Sequence, residues 1–213
     1  MNTKNNAKVV LCYGDSNVYG QRSDDVSKGR WPANVRWTGQ LQNLLGDEYY
    51  VIEEGLGGRT TDLGRAEPDN GRDYLAPCLT SHNPIDTIVL MLGTNDCKLM
   101  FNRSPLEIAG AIEGIIDDIV KYAKASVILV SPISIDNQAS QFAALYSHDF
   151  NYESGQKVAE LAGLFKSIAA RRGLSFLDAA TVARPGEDGV HFSKESHATF
   201  AKSLAPLVTS SVR

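Results

Sequence analysis

Five short apolar runs, each closed by turn residues and separated from the next by a segment of helical periodicity, constrain the fold of this 213-residue chain more than any other feature. They lie at residues 8–13, 49–53, 87–92, 126–130 and 174–177. Runs of this length and β-branched content suit strands buried on both faces, and strands that alternate with helices join by right-handed crossovers into a parallel sheet. Between the third and fourth runs, "SPLEIAGAIEGIIDDIVKYA" sets Ile108, Ile112, Ile115, Ile116, Ile119 and Ala123 on one helical face. Ser104 and Glu107 stand at capping-box spacing, and Pro105 suits the first turn. Further helices are expected from about 34 to 45, from about 154 to 172 with a stop at Gly173, and from Ser193 towards Leu207.

These elements predict a three-layer α/β/α sandwich whose five-stranded parallel sheet has the flavodoxin-like order 2-1-3-4-5, in a single domain over residues 1–213. Only residues 133–153 lack a clear period; polar and aromatic by turns, they read equally as a functional loop or interface arm and as a simple surface excursion. A formal charge of -4 with no basic stripe argues against a nucleic-acid partner. No stretch approaches the roughly 18 apolar residues of a membrane span, and the polar start "MNTKNNAK" carries no signal-peptide pattern, so a cytoplasmic location and no membrane partner are expected. Cys12, Cys78 and Cys97 are odd in number and widely spaced, which fits neither a disulfide framework nor a zinc site. Reduced thiols are expected, with Cys12 in the core.

In a doubly wound sheet the ligand sits beyond the carboxyl ends of the strands, near the point where strand order reverses. Three such ends carry unusual residues: Gly14-Asp15-Ser16, "EEGLGGRTT" with Gly55, Gly57 and Gly58, and Gly93-Thr94-Asn95-Asp96. A hydroxyl, backbone amides and a side-chain amide would meet there. Acyl transfer needs this set, a nucleophile with donors aimed at the oxygen that becomes negative. Near the C-terminus "EDGVHFS" supplies the missing base, since Asp188 can orient His191 towards Ser16. Each piece alone is ordinary turn chemistry; their joint occurrence at equivalent strand ends favours catalysis. Gly55-x-Gly57 after a strand also suggests a nucleotide-binding domain, although Thr60 stands where that fingerprint has Gly or Ala. Trp31, Trp37 and Tyr19 read as core residues before acceptor-pocket residues.

With these residues in place, the chain resembles the SGNH hydrolases, or GDSL esterase/lipase family, over nearly its whole length. Gly14-Asp15-Ser16 is similar to the first family block with its nucleophilic serine, and Gly58 to the second-block glycine whose N–H lines the oxyanion hole. Gly93-Thr94-Asn95-Asp96 resembles the third block, where the asparagine side chain donates to the same oxygen, and Asp188-Gly189-Val190-His191 the D-x-x-H block. "VRWTGQL", "YYVIEEGLGGRTTDL" and "MLGTNDCK" are most like the bacterial arylesterase and perhydrolase branch. The resemblance implies a catalytic triad of Ser16, Asp188 and His191 and an oxyanion hole of Ser16, Gly58 and Asn95. It also implies short-chain acetyl or aryl ester hydrolysis with a perhydrolase side activity, no metal or organic cofactor, and a homo-oligomer acting on small-molecule esters.

Carbohydrate acetylesterase and thioesterase or lysophospholipase activities remain open alternatives. Asn17, Thr94 and Val190 are expected around the substrate. Asn17 replaces the usual family leucine, which predicts a more polar pocket wall beside the nucleophile, and Gly57-Gly58 replaces the Ser-Ala of the branch. Asp15 is expected to fix its turn through bonds to loop amides.

Overall fold

The structure is a computed structural model that describes residues 4–64 and 69–211. In chain order its elements are β1 (Lys8–Gly14), α1 (Ser16–Tyr19), α2 (Trp37–Leu45), β2 (Tyr49–Gly55), α3 (Gly71–His82), β3 (Thr87–Met91), α4 (Pro105–Tyr122), β4 (Ser126–Ser131), α5 (Phe142–Leu145), α6 (Tyr152–Arg172), β5 (Ser175–Asp178) and α7 (Lys194–Ser211). All four strand pairings are parallel, in the order β2-β1-β3-β4-β5. This is the expected α/β fold and strand order.

Strand alternation divides the core into two layers. Leu11, Tyr13, Ile88, Leu90, Val127 and Leu129 pack with α3, α4 and α6. Val10, Cys12, Val89, Met91, Ile128 and Val130 pack with α2 and α7 on the opposite face. A period of two in the strands thus meets apolar stripes from both helix layers, which is why the central strands read as continuous apolar runs. The isoleucine stripe of α4 is buried, and its capping box forms as its sequence specifies. Gly173 ends α6 in the left-handed conformation, while Asn151 caps its start two residues ahead of expectation. The helix expected from residue 34 begins at Trp37 instead, because residues 32–36 form a turn closed by the Pro32 carbonyl.

Local sequence does not announce α3. Pro77 lies inside this helix and so breaks the usual signal, yet Asn70 caps it by accepting from the Arg72 and Asp73 N–H groups. Gly71, Leu75, Cys78 and Leu79 form its buried stripe, a helical spacing that marks the element despite the proline. The cysteines at 12, 78 and 97 are all buried free thiols. Burial pushes those of Cys78 and Cys97 up to about 12, which keeps them protonated at neutral pH.

Residues 133–153 are neither a loose excursion nor a projecting arm. Phe142, Tyr146 and Phe150 are buried in a small cluster with Val190. The Asp136 N–H donates to the Gly189 carbonyl at 2.9 Å and the Gln141 N–H to the Glu187 carbonyl at 2.9 Å. The segment is therefore tied to the loop that carries Asp188 and His191 by two backbone bonds and an apolar cluster. No helix of the described residues is long and apolar enough to cross a membrane.

Candidate active site

β1 ends against β2 and β3, so whatever follows it emerges at the centre of the carboxyl edge. Asp15 caps α1, its carboxylate accepting from the Asn17 N–H at 2.9 Å. Ser16 then opens the helix, where free N–H groups and the dipole favour negative charge. Asp15 is buried, and burial outweighs the Asn17 bond and the nearby His191, raising its carboxyl to about 6.

The base arrives from the opposite end of the chain. The Gly186 N–H donates to the His191 carbonyl at 2.9 Å and the Ser193 N–H to the Arg184 carbonyl at 3.0 Å, folding the loop after β5 back on itself. Its tight turn needs Gly189, at φ +76°, because a Cβ there would lie 2.1 Å from the Asp136 carbonyl oxygen. Within the loop, Asp188 Oδ1 accepts from the Val190 and His191 N–H groups at 2.9 Å each. Its Oδ2 lies 2.5 Å from His191 Nδ1, and His191 Nε2 lies 2.7 Å from Ser16 Oγ. With Nδ1–H held by the carboxylate, Nε2 faces the hydroxyl as an acceptor. All three side chains are buried, with Ser16 at 6%, Asp188 at 1% and His191 at 2% exposure, so the pairing is shielded from bulk water.

The other two expected groups come from neighbouring strand ends. Gly58 is exposed at φ +82°, in the turn after β2. Asn95 starts the turn Asn95–Cys97 after β3, and its Nδ2 donates to the carbonyl of Arg59, the residue after Gly58, at 3.1 Å. Among the described residues, that amide makes no second bond. Asp96, which the sequence reading left without a role, locks the two turns together: its carboxylate accepts from the Thr61 N–H, from Thr61 Oγ1 at 2.5 Å and from Arg103 at 3.1 Å. Burial raises the Asp96 carboxyl, and the Thr61 and Arg103 contacts oppose that shift. Arg59 ties the same region to the sheet, donating to the Gly14 and Glu54 carbonyls with its guanidinium 4.5 Å from the Tyr13 ring centre.

The three residues expected around the substrate lie close to the triad or its loops. Asn17 is 1% exposed and its amide bonds the backbone on either side of His191. Thr94 is buried ahead of the 95–97 turn, and the Val190 side chain joins the Phe142, Tyr146 and Phe150 cluster. Tyr146 and Gln21, which local sequence did not reveal, flank the imidazole: the Tyr146 ring lies 5.6 Å from it, and Gln21 Nε2 donates to Tyr146 Oη at 2.9 Å. Burial pushes the Tyr146 phenol up to about 12, so it stays neutral. Trp37 is a core residue, edge-on to Phe200 at 5.0 Å.

The Gly55-Leu56-Gly57 turn opens no helix, since α3 begins at Gly71, so it lacks the N-terminus that holds a pyrophosphate. Among the described residues, Glu54, Cys78 and His82 each bring one ligand atom within 4.8 Å of the others. His82 Nε2 is bonded to Glu54 at 2.7 Å, and burial raises the Cys78 thiol beside them.

Residues 12–199 match the model of the GDSL-like Lipase/Acylhydrolase family. The chain is similar to the native aryl esterase of M. smegmatis, with TM-score 0.86 and 34% identity, covering 96% of this chain and 99% of that one. It is also similar to Est24, a carbohydrate acetylesterase from Sinorhizobium meliloti, with TM-score 0.84 and 32% identity over 95% and 99%. A putative arylesterase from Agrobacterium tumefaciens has TM-score 0.82 and 29% identity over 95% and 99%. No curated protein matches the chain.

Proposed function

Because the chain belongs to the GDSL-like lipase/acylhydrolase family and is a carboxylic ester hydrolase, we propose that it cleaves short acyl esters through an acyl-enzyme on Ser16. The observation that carries this reading is the line of contacts from Asp188 through His191 to Ser16, at 2.5 and 2.7 Å. As Ser16 Oγ attacks the carbonyl carbon, His191 Nε2 takes its proton, and Asp188 stabilises the imidazolium. Negative charge then gathers on the former carbonyl oxygen. The Ser16 and Gly58 N–H groups and the Asn95 amide receive it, held in position by Asp96 and Arg59 rather than reoriented during reaction. The alcohol departs with the proton from His191, and a water molecule, deprotonated by the same nitrogen, releases the acid. Hydrogen peroxide in place of that water yields a peracid from the same intermediate.

A short acyl group and either an aryl or a sugar alcohol are favoured, because the named likenesses include an aryl esterase and a carbohydrate acetylesterase. Turnover of an aryl acetate, an acetylated sugar, an acyl thioester and a lysolipid, compared side by side, tests the choice. We expect the aryl acetate to have the largest kcat/KM; a lead of more than tenfold for the sugar acetate would favour the second reading. Ser16→Ala is expected to lower kcat by at least about 10⁴-fold with the fold intact. Retained activity, or a serine-reactive phosphonate attached to another residue, would overturn the assignment.

A further inference from the structure

We propose that Asn17 is a positioning residue for His191, joining the helix that bears the nucleophile directly to the loop that bears the base; this rests on the triad reading above. Asn17 Oδ1 accepts from the Phe192 N–H at 3.0 Å, and its Nδ2 donates to the Val190 carbonyl at 3.3 Å. These two groups flank His191, so one side chain spans the base from both sides. The contacts close gaps of 175 and 173 residues in sequence. No local turn preference can supply that link.

The chemistry of the bracket selects asparagine. It needs an acceptor for an N–H and a donor for a carbonyl within one short side chain, which a primary amide provides. An aspartate would keep the bond to Phe192 but set a carboxylate oxygen against the Val190 carbonyl. Leucine would leave both buried backbone groups without Asn17 as partner, at a site where Val190 is 4% and Phe192 0% exposed. Asn17 is itself immobilised. Its N–H donates to Asp15 Oδ1 at 2.9 Å, and its carbonyl accepts from Trp37 Nε1 at 2.9 Å.

The bracket does work that the triad contacts cannot. Asp188 bonds N–H groups of its own loop and the imidazole on it, fixing the ring relative to that loop but not to α1. The direct link from Ser16 to His191 breaks whenever Ser16 becomes acylated. During that part of the cycle the loop keeps its register on α1 through Asn17, assisted by Gln21 and Tyr146. Misplacing a reacting group by about 1 Å can cost on the order of a hundredfold in rate, so the position of Nε2 over the deacylating water depends on these bonds.

The test uses the full chain carrying Asn17→Leu or Asn17→Asp, with active sites counted by phosphonate labelling, aryl acetate as substrate, and proton NMR of the His191 Nδ1–H. Positioning predicts that kcat per labelled site falls about ten- to a hundredfold in Asn17→Leu. KM should stay within about threefold, deacylation should slow so that a burst of phenol precedes turnover, and the Nδ1–H resonance should shift or broaden. In Asn17→Asp, the added negative charge should move the pH profile of kcat/KM to higher pH, an effect that loss of packing alone would not produce. The inference is overturned if Asn17→Leu folds and keeps kcat per labelled site within twofold with an unchanged resonance. If Asn17→Leu does not fold, an Asn17→Asp variant that keeps kcat per labelled site within twofold with an unchanged Nδ1–H resonance overturns it equally. The resonance requires no turnover, so it separates failure of the bracket from failure of the esterase reading, which Ser16→Ala addresses.

Discussion

Asp15 and His197 should oppose each other in the pH dependence of stability, and single substitutions should expose each contribution. Both are buried, but burial acts on them in opposite senses. It raises the Asp15 carboxyl from 3.8 to about 6. His197, pressed against Phe192 with ring centres 5.4 Å apart, is lowered from 6.5 to about 4, first by burial and then by the positive charge of Arg36. Its Nδ1 accepts from the Trp37 N–H at 3.1 Å, which suits the neutral ring. Between pH 4 and 6 the folded protein holds a proton on Asp15 that the unfolded chain releases, so that contribution is complete below pH 3.8 and is lost as pH rises through 6.

His197 does the reverse: the unfolded chain binds the proton, and its contribution is complete above pH 6.5 and lost as pH falls through 4. At about 1.4 kcal/mol per pKa unit, each spans about 3 kcal/mol over its full range. From pH 7 to 5 the Asp15 gain is about 1 kcal/mol and the His197 loss about 2 kcal/mol, so the parent changes little through this pair. Urea unfolding at pH 7 and 5 reads the difference. Asp15→Asn should make the protein lose about 1 kcal/mol more than the parent on acidification, and His197→Gln, which keeps an acceptor for Trp37, should make it lose about 2 kcal/mol less. Parallel curves for Asp15→Asn and the parent would refute the claim that burial raises this carboxyl.

Two further outcomes can be checked directly. Gly189→Ala, forced to φ +76° with its Cβ against the Asp136 carbonyl, should destabilise the fold by about 1–3 kcal/mol and lower kcat, as measured by urea unfolding and aryl acetate turnover. Tyr146→Phe removes only the bond from Gln21 and should cost about 1 kcal/mol; a loss above about 3 kcal/mol would mean that the hydroxyl has a larger structural role than Gln21 accounts for.

Local sequence was enough wherever the physics was local. Short continuous apolar runs placed the five strands, the capping box at Ser104 and Glu107 placed α4, and Gly173 placed the end of α6. The Asp188-x-x-His191 spacing was legible too, because a carboxylate three residues before an imidazole can reach it within one turn. The helix α3 was obscured by Pro77, whose local signal opposes a helix that Asn70 and the buried stripe nevertheless support. Tertiary folding alone decided what meets across distant segments. Asn17, expected beside the substrate, bonds the backbone around His191; the 133–153 segment, open between arm and surface loop, packs onto that same loop. A side chain's element follows from the few neighbours that share its backbone period, but its partner across 175 residues depends on how both layers close over the sheet, which no local pattern encodes.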